Sequence, residues 1–338
     1  DAWRLMTNAA GVADVAVIGL GYIGLPTAAV LARAGLDVIG VDRLRERVEA
    51  VNRGELPFLE DGLATVLAEQ VDVGRLRAQT VTPSARTYVI AVPTPLTREG
   101  NTADLSLVEA ATRQIAPCLT GDELIVLEST CPPGTTRALA EALISMRPDL
   151  SLDGSGGRHR VHVAHCPERV LPGRIMTEMV TNSRVIGGLT SEASHLARDL
   201  YATFCRGELV LTDATTAEMT KLTENSFRDL NIAFANELAL VCDRAGVDVW
   251  ELIDLANRHP RVSILHPGPG VGGHCIAVDP WFLVSSAPEE TRLIRTARQV
   301  NDSRPAYYVG RILQALEGLV SPTVAVLGLT FKADVDDL

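Results

Sequence analysis

The sequence predicts an α/β protein with a doubly wound parallel sheet in its N-terminal part, a central helical region built on one long connecting helix, and the start of a second α/β domain. Three observations carry this reading. Short β-branched runs alternate with helical patterns from Val15 to about Gly207, a stretch free of Gly and Pro runs from Ala214 to Arg244, and an apolar run returns at Thr323 to Leu329. Strands separated by helices imply crossover connections, hence parallel pairing with helices on both faces.

The strand candidates are Val15–Gly19, Asp37–Val41, Tyr88–Val92, Leu124–Glu128, Val161–His165 and Val185–Gly188. Val15 to Ala32 is apolar enough to raise the question of a membrane span. Three glycines, Pro26 and the strand-like start from Val15 to Ile18 divide it instead into a buried strand and a helix. No basic segment with a cleavage site precedes it, so no signal peptide is expected. Asp153 to Gly157 reads as a surface loop. Between 214 and 244, Met219, Leu222, Phe227, Leu230, Ile232, Phe234, Leu238 and Val241 recur at helical spacing. One helix of that length reaches roughly 45 Å, too long for a single small domain. Gly246 supplies its stop. Such a helix is expected to join domains and to carry a subunit interface. Thr323 to Leu329 reads as a buried parallel strand, which needs covered faces, so it is expected to open a further domain of which only the beginning is present. The expected domains are 1–211, 212–321 and 322–338.

A chain of 338 residues exceeds the size at which one core keeps growing, and 46% apolar residues are ample for more than one. A net charge of -11 argues against a sequence-independent grip on nucleic acid, which needs a basic surface. The six cysteines, at 118, 131, 166, 205, 242 and 275, form no CxxC pair and no metal-ligand spacing. A reducing, cytoplasmic compartment is expected, with no metal and no membrane.

Gly19, Gly21 and Gly24 form a GxGxxG motif between the first strand and its helix. The first glycine permits the tight turn, the second lets backbone approach a pyrophosphate, and the third lets helix and strand pack closely; the phosphates meet the helix N-terminus. The motif alone is a weak signal, since glycines also shape ordinary βα turns. Asp42 strengthens it: it ends the next strand, 18 residues beyond Gly24, where a carboxylate accepts the ribose hydroxyls. A Rossmann-like domain binding NAD is expected, with Tyr22 and Ile23 in the turn. Arg43 and Arg47 keep open a phosphate-bearing dinucleotide.

A second constellation spans Gly268 to Pro280, with Gly268, Gly270, Gly272 and Gly273 preceding Cys275 and Asp279 following it. Glycines forgo side-chain packing where backbone must approach a ligand. A thiol there, with a carboxylate nearby, suits a nucleophile better than inert core filling. On the long helix Lys221 and Asn225 are four residues apart and share a face. A helical lysine is usually just solvated; the adjacent asparagine and the cysteine loop favour a functional one.

Together these stretches resemble the UDP-glucose/GDP-mannose dehydrogenase family over nearly the whole chain. Supporting segments are Val92-Pro-Thr94-Pro95, Glu128-Ser-Thr130 with Pro133-Gly-Thr135-Thr136, Cys166-Pro-Glu168-Arg-Val-Leu-Pro-Gly173, Ala217-Glu-Met-Thr-Lys221-Leu-Thr-Glu-Asn225 and Gly328-Leu-Thr-Phe-Lys332. The segments from 166, 221, 257 and 268 look most like the branch acting on UDP-N-acetylmannosamine. The resemblance implies an NAD-dependent oxidation of a UDP-sugar at C6 to the carboxylate, through a thiohemiacetal and a thioester on Cys275, with two hydrides removed per sugar. It implies that Lys221 and Asn225 stabilise the oxyanion, that Asp279 orients Lys221 and water, that Glu168 activates water, and that Thr130 touches cofactor and water. Arg47 and Thr94 are implied at the cofactor. Arg169, Val170, Arg228, His259, Arg261, Gly272, Phe331 and Lys332 are implied at the substrate, Arg261 from a neighbouring subunit of a homodimer.

Two departures stand out. Pro172 occupies the place where many UDP-glucose members carry a second glutamate, and the family's UDP-binding domain is represented only from 323 onward. Competing readings are the same chemistry on UDP-N-acetylglucosamine or UDP-glucose, a two-electron hydroxy-acid dehydrogenase that needs no cysteine, and a non-catalytic nucleotide-sugar sensor.

Overall fold

A computed structural model describes residues 12–97 and 101–328. The chain divides into two compact units that part inside the long helix, between Lys221 and Leu222. In chain order the first comprises β1 (Ala13–Ile18), α1 (Gly24–Arg33), β2 (Val38–Val41), α2 (Arg45–Asn52), α3 (Leu63–Asp72), β3 (Leu76–Gln79), β4 (Ala85–Ile90) and α4 (Ser106–Ile115). It continues with β5 (Leu124–Leu127), α5 (Thr135–Met146), the small ladder β6 (Leu150–Ser151) and β7 (His159–Arg160), then β8 (His162–His165), α6 (Ile175–Thr181), β9 (Arg184–Gly188), α7 (Ser191–Tyr201) and β10 (Leu209–Asp213).

The eight-stranded sheet runs β10-β9-β8-β5-β4-β1-β2-β3. Its pairs are parallel apart from β8 with β9. Strand β1 explains how both faces are filled. Val15 and Val17 point into one core with α1, α3, α6 and α7, and Ala16 and Ile18 point into the other with α4 and α5. With side chains alternating and both faces covered, the strand reads as an unbroken apolar run, as buried parallel strands do. The chain leaves β1 towards β2 and β3 and returns to β4 on the other side. That reversal opens a crevice beyond the carboxyl ends of β1 and β4, where open α/β sheets bind ligands.

All six strands expected between Val15 and Gly207 are present. Sequence reading missed β3 and β10, the two edges. In β3 only Leu76 and Ala78 face inward, while Arg77 is exposed and pairs with Asp37 at 2.6 Å. Four residues buried on one side carry too little periodicity to stand out.

Helix α8 (Ala214–Ala245) has the expected extent. Asp213 caps it, accepting from the Thr216 N–H at 2.9 Å and the Thr216 hydroxyl at 2.6 Å, and Gly246 at φ +68° follows its last turn. The second unit continues with α9 (Val249–Ala256), α10 (Asp279–Ser286) and α11 (Arg292–Ala315). One expectation is corrected. Residues 323–328 form no strand, and Val324, Val326 and Leu327 are exposed. A strand is held by ladder bonds to a neighbour, and among the described residues none pairs with this segment; Leu329, Phe331 and Lys332 lie outside them.

Candidate active site

The dinucleotide turn is built as its glycines require. Gly19 adopts φ +95°, and a Cβ there would lie 2.5 Å from the Ala91 carbonyl oxygen; a Cβ on Gly24 would lie 1.8 Å from the Gly19 oxygen. Neither position admits a side chain. A Cβ on Gly21 would meet nothing within 4 Å, the open side on which a pyrophosphate fits. No side chain caps the N-terminus of α1, which suits an anion there. Tyr22 stacks on Phe58 at 4.3 Å between centroids, and Ile23 packs against the core, so both buttress the turn.

Asp42, following β2, is oriented by the Leu20 N–H on Oδ2 (3.0 Å) and the Leu44 N–H on Oδ1 (2.9 Å). Arg47 donates to Oδ2 at 3.1 Å, so this guanidinium is tied to the carboxylate rather than presented to a phosphate. The arrangement fits NAD, whose ribose hydroxyls a carboxylate accepts. Across the switch point the Thr94 hydroxyl donates to the Thr130 carbonyl at 2.6 Å, joining two expected cofactor residues.

Beyond β8, the loop from Cys166 to Arg174 carries Glu168. Its Oε1 accepts a very short bond from the Val170 N–H, and its Oε2 lies 3.4 Å from Lys221 Nζ. Both side chains are nearly buried, at 8% and 11% exposure. Arg169 donates to the Ser183 carbonyl at 2.9 Å and to its hydroxyl at 3.2 Å, and Val170 packs partly against the core. Burial pushes the Cys166 thiol up to about 11, which keeps it protonated and unreactive.

Sequence reading missed two buried carboxylates, one fastening this loop and one fastening the start of α5. Buried Glu60 accepts from the Gly173 and Ile175 N–H groups, each at 2.8 Å, just after Pro172. Glu218, three residues before Lys221, accepts from the Gly134 N–H (2.6 Å), the Thr136 N–H (2.7 Å) and the Thr136 hydroxyl (2.6 Å). Glu218 also belongs to a buried group with Cys131 and His165 whose donor atoms lie within 4.8 Å of one another. Its carboxylate already serves the N-terminus of α5, whose positive end disfavours a cation.

In the second unit Cys275 is the exposed one of the six cysteines. Its carbonyl accepts the Val278 and Asp279 N–H groups at 3.0 and 2.8 Å, so it stands one turn ahead of α10. A helix N-terminus favours a thiolate. Asp279, the first residue of α10, is buried and accepts from Asn225 Nδ2 at 2.6 Å. Arg228, His259, Arg261 and Gly272 are exposed. The turn carrying the middle pair is closed by Asn257, which donates to the Ile264 carbonyl at 2.9 Å and accepts its N–H at 2.7 Å.

Residues 13–205 match the UDP-glucose/GDP-mannose dehydrogenase family, NAD binding domain, and residues 215–303 its central domain. An NDP-N-acetyl-D-galactosaminuronic acid dehydrogenase of Ralstonia nicotianae is 54% identical, over 96% of this chain and 77% of that protein. A UDP-N-acetyl-D-mannosamine dehydrogenase of Escherichia coli is 52% identical, over 96% of this chain and 80% of that one. Among solved structures, a UDP-N-acetyl-mannosamine dehydrogenase of Staphylococcus aureus superposes with a TM-score of 0.86 at 43% identity, covering 96% of this chain and 76% of that chain. The chain therefore belongs to the UDP-glucose/GDP-mannose dehydrogenase family of NAD-dependent enzymes.

Proposed function

We propose that the protein oxidises the C6 hydroxyl of UDP-N-acetyl-D-mannosamine to the carboxylate in two hydride transfers, with Cys275 carrying the acyl group. The observation that carries this reading is the single exposed thiol at the head of α10, set in a family whose close relatives include UDP-N-acetyl-D-mannosamine dehydrogenases. NAD supplies the hydride acceptor for each oxidation.

The residues divide the remaining work. Lys221, paired with Glu168, takes the hydroxyl proton as the C6 aldehyde forms. The Cys275 thiolate adds to that aldehyde, and Lys221 and Asn225 stabilise the oxyanion of the thiohemiacetal. Loss of the second hydride leaves a thioester. Glu168 then removes a proton from water as the oxygen attacks the thioester carbon; the C–S bond breaks and the thiolate returns. Asp279 holds Asn225, and Thr130 with Thr94 flanks the cofactor. Arg169, Val170, Arg228, His259, Arg261 and Gly272 are assigned to the sugar nucleotide, with Phe331 and Lys332 opening the UDP-binding part.

A second reading concerns the sugar alone, because the Ralstonia relative is named for an N-acetyl-D-galactosaminuronic acid. NADH production with UDP-N-acetylmannosamine, UDP-N-acetylgalactosamine, UDP-N-acetylglucosamine and UDP-glucose in parallel decides it. The first should turn over at least ten times faster than the rest; preference for the second substrate would move the assignment to that sugar.

The domain limits 1–211, 212–321 and 322–338 are part of the same proposal, as is a cytoplasmic homodimer joined along α8. No helix among the described residues is long and apolar enough to cross a membrane. Phe227, Phe234 and Val241 recur every seven residues on α8 and are 68%, 49% and 61% exposed, an apolar stripe suited to a second copy of the helix.

A further inference from the structure

The loop from Gly268 to Cys275 is tied at its Gly268 end to side chains beneath it. Its four glycines bring no side chains to pack, and Gly272 and Cys275 are exposed. Beneath it lies a buried polar cluster contributed by α8 and α11. The Gly268 N–H donates to Asn236 Oδ1 at 2.9 Å, and its carbonyl accepts from Arg304 Nε at 3.3 Å. Asn236 Nδ2 donates in turn to Asn301 Oδ1 at 2.8 Å. Asn301 Nδ2 donates to the Asp229 side chain at 2.8 Å and to its carbonyl at 2.9 Å. Asp229 accepts from Arg298 Nη1 at 2.6 Å, and that same nitrogen reaches the Ile276 carbonyl at 3.5 Å, next to Cys275.

These bonds form a closed path. It leaves the loop at Gly268, passes through Asn236, Asn301, Asp229 and Arg298, and rejoins the chain at Ile276. Asn236 and Asp229 are fully buried, and Asn301 and Arg298 are 1% exposed. A buried ion pair with two amides is a poor source of stability compared with apolar packing, because its desolvation offsets the attraction. Its distinctive property is direction: each member accepts only one arrangement of its neighbours.

We propose that the Asn236–Asn301–Asp229–Arg298 path positions the cysteine loop, fixing the distance between its two ends and so the presentation of the Cys275 thiol. The inference rests on Cys275 being the nucleophile. Asn301 is the informative member, since its hydrogen bonds go to Asn236 and Asp229 and none goes to the loop. A change there reaches Cys275 only through the path.

The test uses the full-length protein with Asn301→Ala, Asn236→Ala, the double variant and Cys275→Ala, assayed well below each melting temperature. The readouts are kcat, KM for NAD and the iodoacetamide alkylation rate of Cys275, followed by peptide mass spectrometry. Asn301→Ala and Asn236→Ala should each lower kcat at least tenfold, change the alkylation rate at least threefold and leave KM for NAD within twofold. The double variant should be no worse than the more impaired single one. Should a single variant fail to fold, Asn301→Ser and Asn236→Ser replace it with the same expectation. Normal kcat and alkylation in folded Asn301 variants would overturn the positioning role while leaving the nucleophile intact. Acid formation by Cys275→Ala would instead remove the nucleophile assignment and the proposal with it.

Discussion

His165 ends β8 just before the Cys166 loop, and it sits fully buried with neither ring nitrogen in a well-formed hydrogen bond. Burial drives its pKa from the ordinary 6.5 down to about 3, outweighing the opposing pull of the Leu127 backbone, so the ring stays neutral in the fold. The sign of the linkage follows. With the folded pKa depressed, the neutral ring contributes fully above pH 6.5, and the contribution is lost as the pH falls towards 3 because the unfolded chain takes up the proton first. Each pH unit in that window is worth about 1.4 kcal/mol, so roughly 2 kcal/mol is lost between neutrality and pH 5 from this residue. His165→Leu removes the titration and the unpaired nitrogens together. Urea unfolding followed by far-UV circular dichroism at pH 7.5 and 5.0 should show the parent losing roughly 2 kcal/mol more than the variant. Equal acid losses in the two proteins would refute the reasoning and imply that the ring finds a partner or a solvent path.

Other substitutions probe the cofactor turn, the loop anchors and the long helix. Gly24→Ala should abolish NAD binding in a calorimetric titration, because its methyl group would be driven into the Gly19 carbonyl. Asp42→Ala should weaken NAD at least tenfold, about 1.4 kcal/mol, and should narrow discrimination against NADP by releasing Arg47; unchanged dissociation constants for both would contradict the assigned role. Glu218→Ala leaves the buried Thr136 N–H and its neighbour Gly134 without their acceptor, and should destabilise the first unit by about 2–4 kcal/mol in denaturant unfolding. Phe234→Glu should turn a dimer into monomers by sedimentation velocity; a dimer of unchanged affinity would move the interface away from α8.

Much of the fold was legible because its strongest signals are periodic or punctuated. The central strands are nearly continuous apolar runs, α8 is a long helical pattern between Asp213 and Gly246, and the glycine turn states its own geometry. The edges β3 and β10 were hidden because half of each faces outward. The apolar run after Thr323 carried a strand's composition, but among the described residues no strand pairs with it, and composition alone makes no ladder. Of the residues proposed for the site, Glu168, Lys221, Asn225, Cys275 and Asp279 stand in motifs that the sequence displays, while the residues that support them do not. Glu60 stands beside Asp61 after the apolar Leu56-Pro-Phe-Leu59 stretch and belongs to no motif that would single it out. Glu218, Asp229 and Asn236 did leave one: with Lys221 and Asn225 they recur on α8 at spacings of three, four and seven, a buried polar stripe on a face that also carries apolar residues. Attention to where the apolar residues fell passed over the polar ones interleaved with them.

The most direct test of the chemistry is the amount of NADH formed per molecule of UDP-N-acetylmannosamine consumed, by the parent and by Cys275→Ala. Two NADH per sugar in the parent, with no acid from the variant although it still binds NAD, is the expected result. One NADH per sugar, or acid formed without the thiol, would contradict a thioester on Cys275.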